Sequence, residues 1–265
     1  MTLNLLHQFV YGILGATALM FALWLVERVR ANANIVDVGW TAGMGLTALF
    51  LAITASEQLP RRWLAGGLAA LWALRLAWHL VVDRVVGKPE DGRYVALRKR
   101  WGTRAPYGFL ALFLAQAVLI AAFVVPFRVA MAAERPLGDG WDILAIAIWF
   151  VSVVGETLAD AQLAAFRADP TTRGQVCQRG LWRYSRHPNY FFEWLHWWTY
   201  PLLAVGQEWW FLTLLGPALM ALFLFRVTGI PATEAHAIAS RGEAYRRYQR
   251  TTSVFFPWFP KKDMT

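Results

Sequence analysis

The sequence predicts an all-α, polytopic membrane protein with seven transmembrane helices, its N-terminus outside and its C-terminus cytoplasmic. Three observations carry this expectation. Hydrophobic residues fill 57% of the 265 positions and charged residues only 16%, against about a quarter charged in a soluble domain. The apolar residues gather into runs that reach or approach the roughly 20 residues a helix needs to cross a hydrocarbon core. These runs lack the dyad alternation of a transmembrane β-strand, and backbone amides in lipid must then be satisfied within each segment, as helices.

The spans are expected at about 8–27, 38–55, 63–83, 106–127, 140–165, 189–205 and 208–230, followed by a tail over 231–265. The first has no positively charged start and runs into Glu27 and Arg28, so it reads as a retained helix rather than a signal peptide. The second holds Gly43-Met-Gly-Leu-Thr-Ala. With no strand before it, that element fails as a dinucleotide motif and reads as helix packing. The second and sixth spans are short, and the seventh begins at Trp209 and Trp210, residues suited to a membrane edge. No linker, low-complexity tract or internal repeat interrupts the chain, so 1–265 reads as a single domain.

Charge supplies the orientation. Joined alternately, the spans leave only Arg61, Arg62, Arg128 and Arg135 on one side. Arg75 and Arg226 lie within spans, and every other Lys and Arg falls on the opposite side, which the positive-inside rule makes cytoplasmic. The net charge of +9 therefore points to anionic lipid headgroups rather than to nucleic acid. A single cysteine, Cys177, excludes intrachain disulfides and multi-cysteine metal sites; no metal site is expected. The long polar loops lie on the cytoplasmic side, where a rigid scaffold would position binding chemistry. The basic tail, with Tyr245 and Tyr248 among Arg241, Arg246, Arg247 and Arg250, reads as a membrane-surface helix, which is compatible with a lid over a charged ligand.

Ionisable groups inside spans are costly and mark candidate sites. Asn34 and Asp37 share a helical face at the start of the second span. They read either as a helix-start motif or, for Asp37, as an acid with a raised pKa that donates a proton to a substrate oxygen. Arg75 and His79 pair at i,i+4 in the third span, where an imidazole polarises a carbonyl, relays a proton or is simply hydrogen-bonded in the core. Glu156, Asp160 and Arg167 align along the cytoplasmic end of the fifth span, as a salt-bridge network or as nucleotide ligands with Arg167 on phosphate. The densest element is Gly180-Leu-Trp-Arg-Tyr-Ser-Arg-His-Pro-Asn-Tyr-Phe-Phe-Glu193. There a helix start beside Arg183, Arg186 and His187 suits an anion.

The chain resembles the steroid 5α-reductase family, in the bacterial branch designated DUF1295. Gly155-Glu156, Asp160, Arg167, the Arg-His-Pro-Asn-Tyr-x-x-Glu element and Gly242-Glu-Ala-Tyr-Arg-Arg-Tyr occur in the family's order. The resemblance implies a seven-helix fold holding NADPH reached from the cytoplasm, with cofactor contacts at Asp160, Arg167, Tyr184, Asn189 and Glu193, joined by Glu156, Arg186, His187, Arg226 and Tyr245. The animal enzymes' carbonyl-polarising Glu and Tyr fall at Asp37 and His79, with Asn34, Trp40 and Arg75 expected against the substrate. The implied activity is reduction of the C4=C5 double bond of a 3-oxo-4-ene steroid or similar lipid enone, by a monomer in a bacterial inner membrane. A membrane isoprenylcysteine carboxyl methyltransferase using S-adenosylmethionine shares the Arg-His-Pro-x-Tyr element and is the alternative. Asn189 paired with Glu193, and the Glu156/Asp160/Arg167 set, fit the reductases better.

Overall fold

The computed structural model describes residues 3–55 and 60–263. Regular structure among them is entirely helical: α1 (Leu5–Arg30), α2 (Ile35–Thr54), α3 (Pro60–Leu80), α4 (Gly92–Trp101), α5 (Ala105–Met131), α6 (Gly140–Ala168), α7 (Pro188–His196), α8 (Thr199–Leu203), α9 (Leu215–Leu222), α10 (Ile230–Arg241) and α11 (Glu243–Thr251). Among the described residues, 6 helical runs are long and apolar enough to cross a membrane: Leu5–Arg30, Ile35–Thr54, Pro60–Val85, Gly92–Met131, Gly140–Ala168 and Trp210–Arg241.

The segment 189–205, expected as one span, forms two short helices with a turn at Trp197 and Trp198. Pro201 has no N–H to give to the Trp197 carbonyl, so α7 cannot run on through α8 as one regular helix. Neither piece is long enough alone to span a bilayer.

The described residues group into two compact units. In the first, built on α1 to α5, α2 packs against α1, α3 and α5. Small residues permit this. A Cβ on Gly45 would stand 2.7 Å from the Ala73 Cβ, one on Gly66 2.8 Å from that of Ala52, and one on Gly43 2.5 Å from Ile120. The Gly43/Gly45 pair is therefore helix packing, as its apolar setting predicts. On α1, Leu6, Leu14 and Leu25 are exposed, an apolar face suited to lipid.

A polar platform closes one end of this unit. Ala31, with φ 50°, ends α1 and donates its N–H to Glu27 O at 2.7 Å. Arg98 of α4 donates to Glu27 (2.8 Å) and to Glu90 (2.7 Å) and lies over the Phe109 ring at 4.4 Å. Glu90 in turn accepts from Ala33 N–H at 2.9 Å. The α1–α2 turn, the 86–91 loop and α4 are thus tied together by charge-assisted bonds.

In the second unit α6 packs on α7. The Phe192 ring lies where a Cβ on Gly155 would be, 2.5 Å away. Gly180 takes φ 56° against the Gln162 amide, a conformation and a closeness that a side chain would disturb. Beside it Leu181 N–H donates to Gln162 Oε1 at 2.8 Å, and Trp182 Nε1–H to Ala159 O at 2.9 Å. These bonds seat the Gly180–Glu193 element on α6.

Candidate functional site

Asn34 and Asp37 lie on one face, as their spacing predicts, and both engage the segment 84–94. The Asn34 amide donates to Arg84 O (2.6 Å) and Pro89 O (3.0 Å), while its carbonyl accepts from Asp91 N–H (2.8 Å). Asn34 is buried, both of its amide hydrogens are engaged, and no side-chain cap bond to α2 forms. It is a bracket for the loop. Asp91 starts α4 by accepting from Arg93 N–H at 2.9 Å. Burial works to raise its carboxyl, but the hydrogen bonds and charge of Arg93 outweigh it and hold the group below the usual 3.8.

Asp37 is an acceptor throughout. Arg84 Nη1 donates to Oδ2 at 3.0 Å, Arg93 Nη2 stands 3.6 Å from the same oxygen, and the Tyr94 hydroxyl donates to Oδ1 at 3.0 Å. The proton-donating Asp37 expected above does not match this arrangement. The acidic hydrogen in the group belongs to Tyr94, a residue that sequence reasoning missed along with Arg84 and Arg93. Arg75 and His79 are half-buried on α3, and His79 is not among the partners of the Asp37 side chain. Trp40, one turn beyond Asp37, sets its ring edge-on to Phe123 at 5.5 Å. Its Nε1–H is buried with no acceptor among the described residues.

In the second unit the expected cofactor residues divide into two groups. Asn189 Nδ2 donates to Asp160 Oδ1 at 3.2 Å, joining α7 to α6, and Glu193 accepts from Trp197 Nε1–H at 3.2 Å. Glu156 and Glu193 are buried, while Arg167 and Arg226 are exposed. Tyr184 is half-buried and meets the Phe259 ring edge-on. Carboxylates, an amide and exposed guanidinium groups are residue types that a phosphorylated dinucleotide uses: acceptors for amide and ribose hydroxyls, cations for phosphate.

The other group turns inward. Arg186 donates through Nε to Glu234 Oε1 (2.6 Å) and through Nη1 to Gln249 O (3.0 Å) and Thr252 O (2.7 Å). His187 Nε2 (3.3 Å) and the Tyr245 hydroxyl (3.3 Å) reach the same Oε1, and Gln249 Nε2 donates to the other oxygen at 2.8 Å. Burial first, then the Glu234 charge, pushes the Tyr245 phenol up. Glu234 is thus the hub of the Arg186, His187 and Tyr245 side chains, and these three wall the unit through it. Sequence reasoning missed Glu234 because one of three acids in a basic tail looks like ordinary surface charge. Its one signal is its position as the first acid after the last apolar run.

The model of the family described as a protein of unknown function, DUF1295, matches residues 23–252. The chain is 26% identical over 283 residues to an uncharacterized protein, C594.04c, of Schizosaccharomyces pombe, covering 95% of this chain and 80% of the relative. No solved structure matches it.

Proposed function

Since the chain belongs to the DUF1295 family, we propose that it is an NADPH-dependent membrane reductase acting on a steroid-like lipid enone. One observation carries the chemistry: a phenol, Tyr94, oriented by a carboxylate, Asp37, that two guanidinium groups neutralise. In this reading Tyr94 replaces His79 as the group that polarises the ketone.

The Tyr94 hydroxyl turns its single hydrogen from Asp37 to the ketone oxygen, a rotation about one bond, while Arg84 and Arg93 keep Asp37 compensated. The guanidinium groups also favour negative charge as it develops on that oxygen. Donors fixed in advance at such a point are commonly worth about 3–4 kcal/mol each. The Trp40 indole N–H offers the substrate a further donor. NADPH, when bound, supplies hydride to the β-carbon. Asp160, Asn189, Glu193 and Glu156 hold its amide and ribose groups, and Arg167 and Arg226 its phosphates, with Tyr184 beside them. Arg186, His187 and Tyr245 shape that wall through Glu234. A proton from water at the α-carbon completes the reduction, and the Tyr94 hydrogen returns to Asp37.

The same reading includes a seventh crossing made jointly by α7 and α8, an outside N-terminus and cytoplasmic C-terminus from the Lys and Arg distribution, a bacterial inner membrane, and a monomer. The test is an anaerobic incubation of the purified chain with NADPH and a 3-oxo-4-ene steroid, read by product mass. A product two mass units heavier that retains the ketone supports the assignment. Loss of NADPH-induced thermal stabilisation, with a shift by S-adenosylmethionine instead, replaces it with the methyltransferase.

A further inference from the structure

After α11 the chain folds back along the second unit. Arg186 N–H donates to Ser253 O (2.8 Å), Trp258 N–H to Tyr184 O (2.9 Å) and Lys261 N–H to Thr251 O (2.8 Å). The Ser185 hydroxyl donates to Phe255 O at 2.8 Å. The segment is therefore fixed, and it leaves two features side by side that the reduction chemistry does not use.

The first is a row of aromatic side chains. Phe256, Trp258 and Phe259 are 58%, 71% and 76% exposed, although each would gain about 2 kcal/mol by burial. The second is a polar cavity of about 550 Å³ lined by Gln178, Arg183, Arg247, Thr251, Lys261 and Asp263. Arg247 Nε holds the Asp263 carboxylate at 2.8 Å, and Arg250 stands 3.7 Å from its other oxygen. Among the described residues Arg183 and Lys261 form no ion pair. The cavity thus carries cations in excess of its one carboxylate, with a hydroxyl and an amide beside them, the donors an oxyanion needs.

Size and setting select among oxyanions. A bare phosphate would leave most of this volume to water, whereas a phosphate bearing a polar body fills it. The adjoining aromatics are apolar groups with polar edges, of the kind that settle at the headgroup level of a bilayer. Basic pockets beside transmembrane helices are suited to anionic headgroups. We propose that this cavity binds the phosphate headgroup of an anionic phospholipid, with Phe256, Trp258 and Phe259 entering the interfacial layer next to it. The inference stands apart from the reductase reading, which assigns no role to the side chains that line this cavity.

The experiment takes the full chain in a neutral detergent and follows its Tm with added short-chain phosphatidylglycerol, phosphatidylcholine of the same chain length, glycerol phosphate and inorganic phosphate. Phosphatidylglycerol alone is expected to raise the Tm in a saturable way. The double variant Arg183→Gln/Lys261→Gln should weaken its apparent Kd by about tenfold or more, as expected when charged partners of a phosphate are removed, and Arg183→Lys/Lys261→Arg should retain it. Equal stabilisation by phosphatidylcholine overturns the proposal, as does a double variant that folds and binds phosphatidylglycerol normally. A shift of the same size with glycerol phosphate or inorganic phosphate overturns the lipid in favour of a free anion. Displacement of phosphatidylglycerol by NADPH overturns it in favour of a nucleotide. If the double variant does not fold, the four wild-type titrations decide by the same criteria.

Discussion

Tyr94 and Asp37, 57 residues apart in the chain, meet hydroxyl to carboxylate at 3.0 Å. The contact requires the bracket at Asn34, which holds the loop before α4 against the start of α2. A phenol so placed has the Asp37 carboxylate as its acceptor.

Tyr94→Phe removes the donor and keeps the ring. Turnover of a 3-oxo-4-ene steroid is expected to fall by about 10²-fold or more, the usual cost of losing one donor to a developing oxyanion. The Tm and the NADPH affinity should stay near wild type. Steady-state kinetics with a melting curve provide the check, and a folded Tyr94→Phe enzyme with undiminished kcat would remove Tyr94 from the chemistry.

How far this site was legible in the sequence depends on the kind of signal. The long helices follow from apolar runs, which report local burial in lipid and need no knowledge of partners. Asp37 was legible as a polar residue at a span's start. Its partner Tyr94 was not, because Arg84 to Arg104 reads as a basic loop between spans and no local pattern reveals a contact across 57 positions. The 189–205 segment has enough apolar residues for a span, but composition does not register the hydrogen bond that Pro201 denies to Trp197. Arg186 and His187 were legible in the Gly180–Glu193 element and Tyr245 in the basic tail, yet the acid that joins all three lies in that tail, where no local pattern sets it apart.

Asp91 gives the polar platform a pH signature. Its carboxyl is held below the usual 3.8 in the folded protein. A depressed acid contributes stability that is present above its unfolded pKa and lost as pH falls through the folded value. The Tm advantage of wild type over Asp91→Asn should therefore be full above about pH 5 and shrink steadily as pH drops below the unfolded value of about 3.9. Melting curves of both proteins across that range measure it. A Tm difference that stays constant with pH would mean that Asp91 contributes only as a neutral cap.

The Arg186–Glu234 pair makes a stability prediction of its own. The two side chains are 10% and 14% exposed at 2.6 Å, and deleting one leaves the other charged, largely dry and without its main partner. Arg186→Ala or Glu234→Ala should cost about 3–5 kcal/mol, the range for a broken buried pair. The double variant should lose less than the sum. Single variants that melt with the wild type would show the pair to be solvent-screened.

The Asn189–Asp160 bond, which ties α7 to α6 at 3.2 Å, separates a cofactor role from a packing role. If these groups hold NADPH, Asn189→Ala deletes an amide that both orients Asp160 and bonds the ligand, and Glu193→Ala deletes a buried acceptor. Each should raise the Kd for NADPH by about tenfold, the equivalent of roughly 1.4 kcal/mol, with kcat at saturating cofactor reduced far less. Packing alone predicts the opposite division: a lower Tm with unchanged Kd. Calorimetric titration of NADPH into each folded variant distinguishes the two, and normal affinity in both would leave the α6–α7 cluster as a structural joint and move the cofactor elsewhere.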